Sequence, residues 1–247
     1  MYSDGKITAI LTVWKRSHLE EQLLSLLSQT LPPAVIWVQQ TQRHVDVDGI
    51  INTYGDRILY TCTEENRGVF GRFESAGRVT TEYTYIIDDD MIPGPAYLEN
   101  ALKACMKHDA IVSPNGRILS PETNLTSVYV GDGDRFQHSF CREDMRVDFG
   151  NNAWLFRTEW ISHFMKYEPL YRNNGEDIHF SATCKLFGGH NTFIPRQMIP
   201  SGAGNTKRNY SFDGFALHGT PGFHQQRANI VNFFRNKGWE LAVNSKV

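Results

Sequence analysis

Four short apolar runs separated by helical patterns fill the first 90 residues, and that alternation restricts the chain to a small set of folds. Residues 7–13 (Ile-Thr-Ala-Ile-Leu-Thr-Val), 34–38 (Ala-Val-Ile-Trp-Val), 57–61 (Arg-Ile-Leu-Tyr-Thr) and 83–87 (Tyr-Thr-Tyr-Ile-Ile) are rich in β-branched and aromatic side chains. They read as strands, the first and last fully buried. Ser17-His-Leu-Glu20 has the form of a capping box ahead of Leu19, Leu23, Leu26 and Leu27, which share one helical face, and Pro32-Pro33 closes that unit. A weaker helix is expected over residues 47–54 and a moderate one over 69–79. Strand and helix in strict alternation predict a Rossmann-like, doubly wound and mainly parallel sheet. Ligands of such sheets lie beyond the carboxyl ends of the strands. Thr12, Trp14, Arg16, Gln39, Gln40, Asn66 and Arg67 therefore share a rim with the residues just after position 87.

Those residues are Asp88-Asp89-Asp90, and Pro93 and Pro95 end the strand directly behind them. Three adjacent carboxylates repel one another, and crowding them beside a hydrophobic strand gains nothing for folding. Two readings remain open: a solvated acidic turn, or a site for a divalent cation, since hard oxygen ligands suit Mg²⁺ or Mn²⁺. A cation held by Asp90, or by Asp88 and Asp90, would bridge to a nucleotide diphosphate and carry the charge that develops on it as it leaves. Arg16, Arg67 and Arg72 could reach phosphates, ribose or base, or could be solvated surface charges. No GxxxxGK[ST] is present, and Gly68-Val-Phe-Gly71 is not a GxGxxG, so P-loop and dinucleotide-binding readings lose ground.

The rest of the chain is predicted to add a helix over 96–108, strands over 110–113 and 153–157, and a short helix after Thr158. A second helix over 178–187 ends at Gly188-Gly189, with a strand at 193–194 and a last helix over 225–237. Residues 114–150 are rich in Gly, Asp, Asn and Ser, with short strands only at 127–130 and 146–149. Glu176-Asp177 opens the second helix, where acids can serve the helix dipole or supply a general base to an acceptor hydroxyl. The tail, 201–222, is glycine-rich and carries Lys207, Arg208 and His218, the last a candidate third metal ligand. One domain over 1–247 is expected, with residues 1–95 as the nucleotide half and 96–247 as the acceptor half.

A formal charge of −2 offers no basic excess for a phosphate backbone, so no nucleic-acid partner is expected. Cys62, Cys105, Cys141 and Cys184 form no CxxC pair and imply a reducing compartment. The first residues lack a signal-peptide pattern and no run is long enough to span a bilayer, so a soluble, cytoplasmic protein is expected.

The order Thr12…Arg16, Asn66-Arg67…Arg72, Ile86-Ile-Asp-Asp-Asp-Met91, then Gly175-Glu-Asp177 with Lys185-Leu-Phe-Gly-Gly189, resembles GT-A-fold glycosyltransferases over about residues 6–195. It is similar to the family-2 group and to exostosin-type (family 64) catalytic domains. The resemblance implies a hexosyl or pentosyl transferase that takes a sugar from a nucleotide-sugar donor, a UDP-sugar, to a glycan or other acceptor with Mn²⁺ or Mg²⁺. It casts the triplet as the DxD motif, with Asp88 on the ribose and Asp90 on the metal. Thr12, Trp14, Arg16, Asn66, Arg67, Arg72, Asp89, Lys207 and Arg208 would face the donor. Asp177, supported by Glu176, would be the base of an inverting reaction. Asn151 and Trp154 would face the acceptor, and His218 would complete the metal site. Exostosin-type enzymes retain configuration, so stereochemistry stays open with a lean to inversion. Two other classes remain: a sugar-nucleotide nucleotidyltransferase, against which residues 7–16 offer no glycine, and a carbohydrate-binding module stacking sugars on Trp14, Trp37, Trp154 or Trp160.

Overall fold

A computed structural model describes residues 6–120, 127–131, 141–197, 201–207, 210 and 213–244. Its first half follows the alternation: β1 (Ile7–Val13), α1 (Leu19–Leu27), β2 (Val35–Thr41), α2 (Asp48–Tyr54), β3 (Leu59–Thr63), α3 (Gly71–Ala76) and β4 (Tyr83–Ile87). After α4 (Tyr97–His108) come β5 (Ile111–Val112), β6 (Asn115–Leu119), β7 (Ser127–Gly131), β8 (Met145–Val147), β9 (Phe149–Asn151) and β10 (Ala153–Arg157). The chain then forms α5 (Ile161–Phe164), α6 (Glu176–Gly188), β11 (Thr192–Ile194) and α7 (Phe223–Asn236).

The main sheet has eight strands in the order β3-β2-β1-β4-β10-β5-β11-β8. The first four are parallel, whereas β10 runs antiparallel to both β4 and β5. The fold is thus a mixed, mainly parallel sheet of the GT-A, Rossmann-like kind. A second, three-stranded antiparallel sheet is ordered β7-β6-β9. Chain order reverses at β1, which pairs with β2 on one side and β4 on the other, so the crevice at their carboxyl ends is the topological switch point.

β4 is buried at every position and β1 at all but one, so both faces of the sheet are covered at these central strands. Each large apolar side chain so buried contributes about 1.5–3 kcal/mol. Trp37 (7% exposed), Trp154 (1%) and Trp160 (3%) all belong to this core. Trp37 donates its indole N–H to Thr61 Oγ1 at 2.9 Å and Trp154 to the Gly150 carbonyl at 3.1 Å. None of the three is free to stack on a sugar, which removes most of the platform a carbohydrate-binding module would need.

Three local expectations are corrected. The Ser17 capping box does not form: His18 is the N-cap of α1 with no side-chain cap, and its ring stacks on Tyr210 at 3.8 Å instead. The helix expected over 69–79 is a single 3₁₀ turn followed by α3, which stops at Gly77. Strand β6 was not foreseen because Asn115-Gly-Arg117 has low strand propensity; pairing to both β7 and β9 holds it in place.

Candidate active site

The acidic triplet leaves β4 at the switch point, and its backbone is held from three sides. Gln22 Nε2 donates to the Asp88 carbonyl (2.8 Å) and the Met91 carbonyl (3.1 Å), Asp88 N–H donates to the Asn152 carbonyl (2.8 Å), and Ile92 N–H donates to Asn205 Oδ1 (3.1 Å). Asn152 takes the left-handed conformation (φ 68) that Asn tolerates, at the corner where β9 passes into β10. The pairing of Ala153 with Ile87 sets that corner, and with it Asn151, beside the triplet.

Two arginines neutralise part of the charge. Arg16 Nη1 donates to Asp89 Oδ1 at 2.5 Å and lies 3.5 Å from Asp90 Oδ2, while its Nε and Nη2 hold both oxygens of Asp213 at 2.6 and 2.9 Å. Arg72 lies between Asp88 and Glu176, with Nη2 2.9 Å from Asp88 Oδ1 and 2.7 Å from Glu176 Oε1. The approach to Glu176 is a hydrogen bond, whereas the one to Asp88 is a charge contact without hydrogen-bond alignment. The Arg72 guanidinium also packs over the Trp154 ring at 5.3 Å, so Trp154 supports the site from within the core and does not face an acceptor.

Gly175 explains how Glu176 and Asp177 reach this rim. It takes φ 82, and a Cβ there would lie 2.2 Å from Ile230 Cδ1, so only glycine lets α6 start hard against α7. Asp177 is 4% exposed and accepts four hydrogen bonds. Oδ1 takes Ile178 N–H (2.8 Å) and Arg227 Nη1 (3.0 Å), and Oδ2 takes Asn151 Nδ2 (2.6 Å) and Arg227 Nη2 (2.7 Å).

Burial pushes the Asp88 carboxyl well above its ordinary range, against the pull of Arg72 and with further upward push from Asp90, Glu176 and Asp89. Asp90 is raised by burial despite Arg16, and Glu176 by burial despite Arg72. For Arg16, Arg72 and Arg227, burial works against the charge and the neighbouring carboxylates outweigh it. Asp88 Oδ1 and Asp90 Oδ1 are buried and accept no hydrogen bond. Trp14 Nε1, Gln39 Nε2 and Asn151 Oδ1 are likewise buried and unpartnered.

Several candidates lie outside this cluster. Arg67 pairs with Glu65 (2.9 Å) and sits 3.8 Å from Glu74, and Asn66 caps its own turn by accepting from Gly68 N–H (2.8 Å). Thr12 pairs in register with Gln39 at the ends of β1 and β2. Lys207 is tied to Glu21 at 3.0 Å. Arg208 lies outside the described residues. His218 occupies an exposed 3₁₀ turn, and among the described residues no three His, Cys, Asp or Glu side chains are grouped closely enough to share an ion. The structure therefore does not join His218 to the triplet.

A family model described as "Glycosyltransferase like family 2" matches residues 5–212. The chain belongs to that glycosyltransferase family. The solved structure of S. aureus TarS matches this family-2 chain with a TM-score of 0.56 at 14% identity, over 95% of this chain and 44% of that one. The chain spans under half of that relative's length, and the likeness is one of fold. No curated protein matches the sequence. No helix among the described residues is long and apolar enough to cross a membrane.

Two residues of this candidate site were not anticipated, Asp213 and Arg227. Arg227 had a signal: it lies three, four and seven residues before the buried Ile230, Val231 and Phe234, so a charge sits on the apolar stripe of α7. Asp213 had none, because its pairing with Arg16 spans 197 residues.

Proposed function

We propose that this family-2 glycosyltransferase moves a sugar from a UDP-sugar to an acceptor hydroxyl with inversion, using residues 1–95 for the donor and 96–247 for the acceptor. The observation that carries this reading is the pair of buried oxygens at the switch point of the sheet, Asp88 Oδ1 and Asp90 Oδ1, that accept no hydrogen bond, the first having only a charge contact with Arg72. Hard, crowded carboxylate oxygens whose charged forms are disfavoured by burial fit a divalent cation, and Mg²⁺ or Mn²⁺ commonly takes one or two carboxylates with substrate phosphates and water completing the shell. Asp88 and Asp90 would hold that ion, whose contribution is to neutralise the leaving diphosphate. With only these two carboxylates as ligands, no histidine is required.

Arg16 stands beside the triplet with its fork aimed at oxyanions, a role Asp213 fills in this structure. Trp14 Nε1 and Gln39 Nε2, at the ends of β1 and β2, are two N–H donors without acceptors, and the carbonyl oxygens of a uracil ring would satisfy them. Asp177 would accept the acceptor's proton while that oxygen bonds to the anomeric carbon. The bond from that carbon to the diphosphate oxygen breaks, and its electron pair leaves with the diphosphate. A carboxylate base on the acceptor side, distinct from the triplet, favours this single displacement over retention.

The test is turnover of a panel of sugar nucleotides with Mn²⁺, followed by anomer analysis of the product. Turnover of a UDP-sugar to the inverted anomer supports the reading. Cleavage of none of the panel, or a retained anomer, overturns it.

A further inference from the structure

The four hydrogen bonds on Asp177 constrain how an acceptor is engaged. A carboxylate offers about four lone-pair sites, and here all are filled. An acceptor hydroxyl can reach the base only by replacing one of the present donors. Ile178 N–H is fixed in the backbone of α6. Arg227 is bidentate, and its guanidinium is held between the rings of Phe149 (5.1 Å) and Phe223 (5.3 Å). Asn151 is the remaining donor, a short side chain at the end of β9, and its own Oδ1 is buried without a partner. That oxygen is an acceptor waiting for a donor, as a second hydroxyl of an incoming sugar or polyol would provide.

We infer that Arg227 is the positioning residue for Asp177, and that Asn151 occupies Oδ2 until the acceptor hydroxyl displaces it. This rests on the proposed role of Asp177 as base. The two parts share one geometry: the fork fixes the carboxylate plane and leaves a single exchangeable position, so the proton is taken at Oδ2 on the Asn151 side. The amide released from Oδ2 then binds the acceptor, through the oxygen that now lacks a partner.

The experiment compares steady-state kinetics of wild type, Asp177→Asn, Arg227→Gln, Arg227→Lys, Asn151→Ala and the double variant Asp177→Asn/Arg227→Gln. Arg227→Gln is expected to lower kcat by about 100-fold with KM for donor and acceptor changed less than about threefold, because a misplaced group of this kind costs chemistry and not binding. Arg227→Lys should recover part of that loss, since it restores charge without the fork, and the double variant should be no slower than Asp177→Asn alone. Asn151→Ala should raise acceptor KM by about tenfold while kcat stays within a few-fold. Near-normal kcat in Arg227→Gln, additive losses in the double variant, or an Asn151→Ala enzyme as slow as Asp177→Asn would each overturn the inference. Should Arg227→Gln fail to fold, Arg227→Lys decides alone: wild-type kcat contradicts the bidentate role. Full activity in Asp177→Asn would instead remove the base itself, an outcome separable from the others.

Discussion

Replacing Gly175 by alanine tests how the start of α6 is built. The residue has φ 82, a conformation that costs an L-residue about 1–2 kcal/mol. The added methyl would lie 2.2 Å from Ile230 Cδ1, and overpacking of that kind costs about 1–3 kcal/mol after the neighbour gives way. Together these predict a loss of about 2–5 kcal/mol, which lowers Tm by roughly 5–15 °C for a domain of this size. The assay is thermal unfolding of wild type, Gly175→Ala, Ile230→Val and the double variant. Ile230→Val alone should cost about 0.5–1.5 kcal/mol. Combined with Gly175→Ala it should cost nothing or restore stability, because it removes the atom in the way. The backbone part of the penalty should remain. A Gly175→Ala protein within about 0.5 kcal/mol of wild type, or strictly additive losses, would show that the placement of Glu176-Asp177 does not depend on this contact.

Other outcomes concern the same site and its surroundings. Asp90→Asn should fold normally, lose transfer and weaken binding of UDP with Mn²⁺; near-normal activity at limiting Mn²⁺ would contradict the metal assignment. UDP and Mn²⁺ together should raise Tm by more than the sum of each alone, because each would complete the other's binding site; one ligand at 100 times its Kd stabilises by about 2.7 kcal/mol. Glu176 has its carboxyl raised by burial, so its contribution to stability is greatest at acid pH and fades as pH rises through the folded value. Glu176→Gln should therefore gain stability relative to wild type as pH rises above the ordinary carboxylate range in unfolding scans. His179 behaves oppositely: burial lowers it to about 4, and its ring donates Nε2–H to the Phe164 carbonyl at 3.0 Å. Stability tied to its neutral form is complete above about pH 6.5 and falls toward about pH 4, by about 3 kcal/mol, and His179→Leu should flatten that part of the pH profile.

The sequence exposes the elements whose cause is local. The β-branched runs at 7–13 and 83–87 bury on both faces whatever surrounds them, so β1 and β4 were legible to the residue. Prolines 93 and 95 likewise marked where the triplet must fall. The antiparallel insertion of β10 beside β4 was not legible, since residues 153–157 read the same in either direction. The site divides similarly. Asp88, Asp90, Arg16, Arg72, Glu176 and Asp177 were legible as candidates, which the fold brings to one rim, because charges at strand and helix ends need a reason to be there. Trp154 was misplaced because an aromatic in an apolar run gives no sign of which side carries the ligand. Its neighbour Arg72 lies far earlier in the chain, on α3.

Asp88 and Asp90 at the carboxyl end of β4 are proposed to hold one divalent ion against the diphosphate of a uridine nucleotide. A crystal structure with UDP and Mn²⁺, measured at the manganese edge, tests it most directly. The expected result is an anomalous peak in contact with carboxylate oxygens of both residues and with the diphosphate, and Arg16 released from Asp213. Nucleotide density elsewhere on the molecule, or an anomalous map without a peak at these side chains, would contradict it.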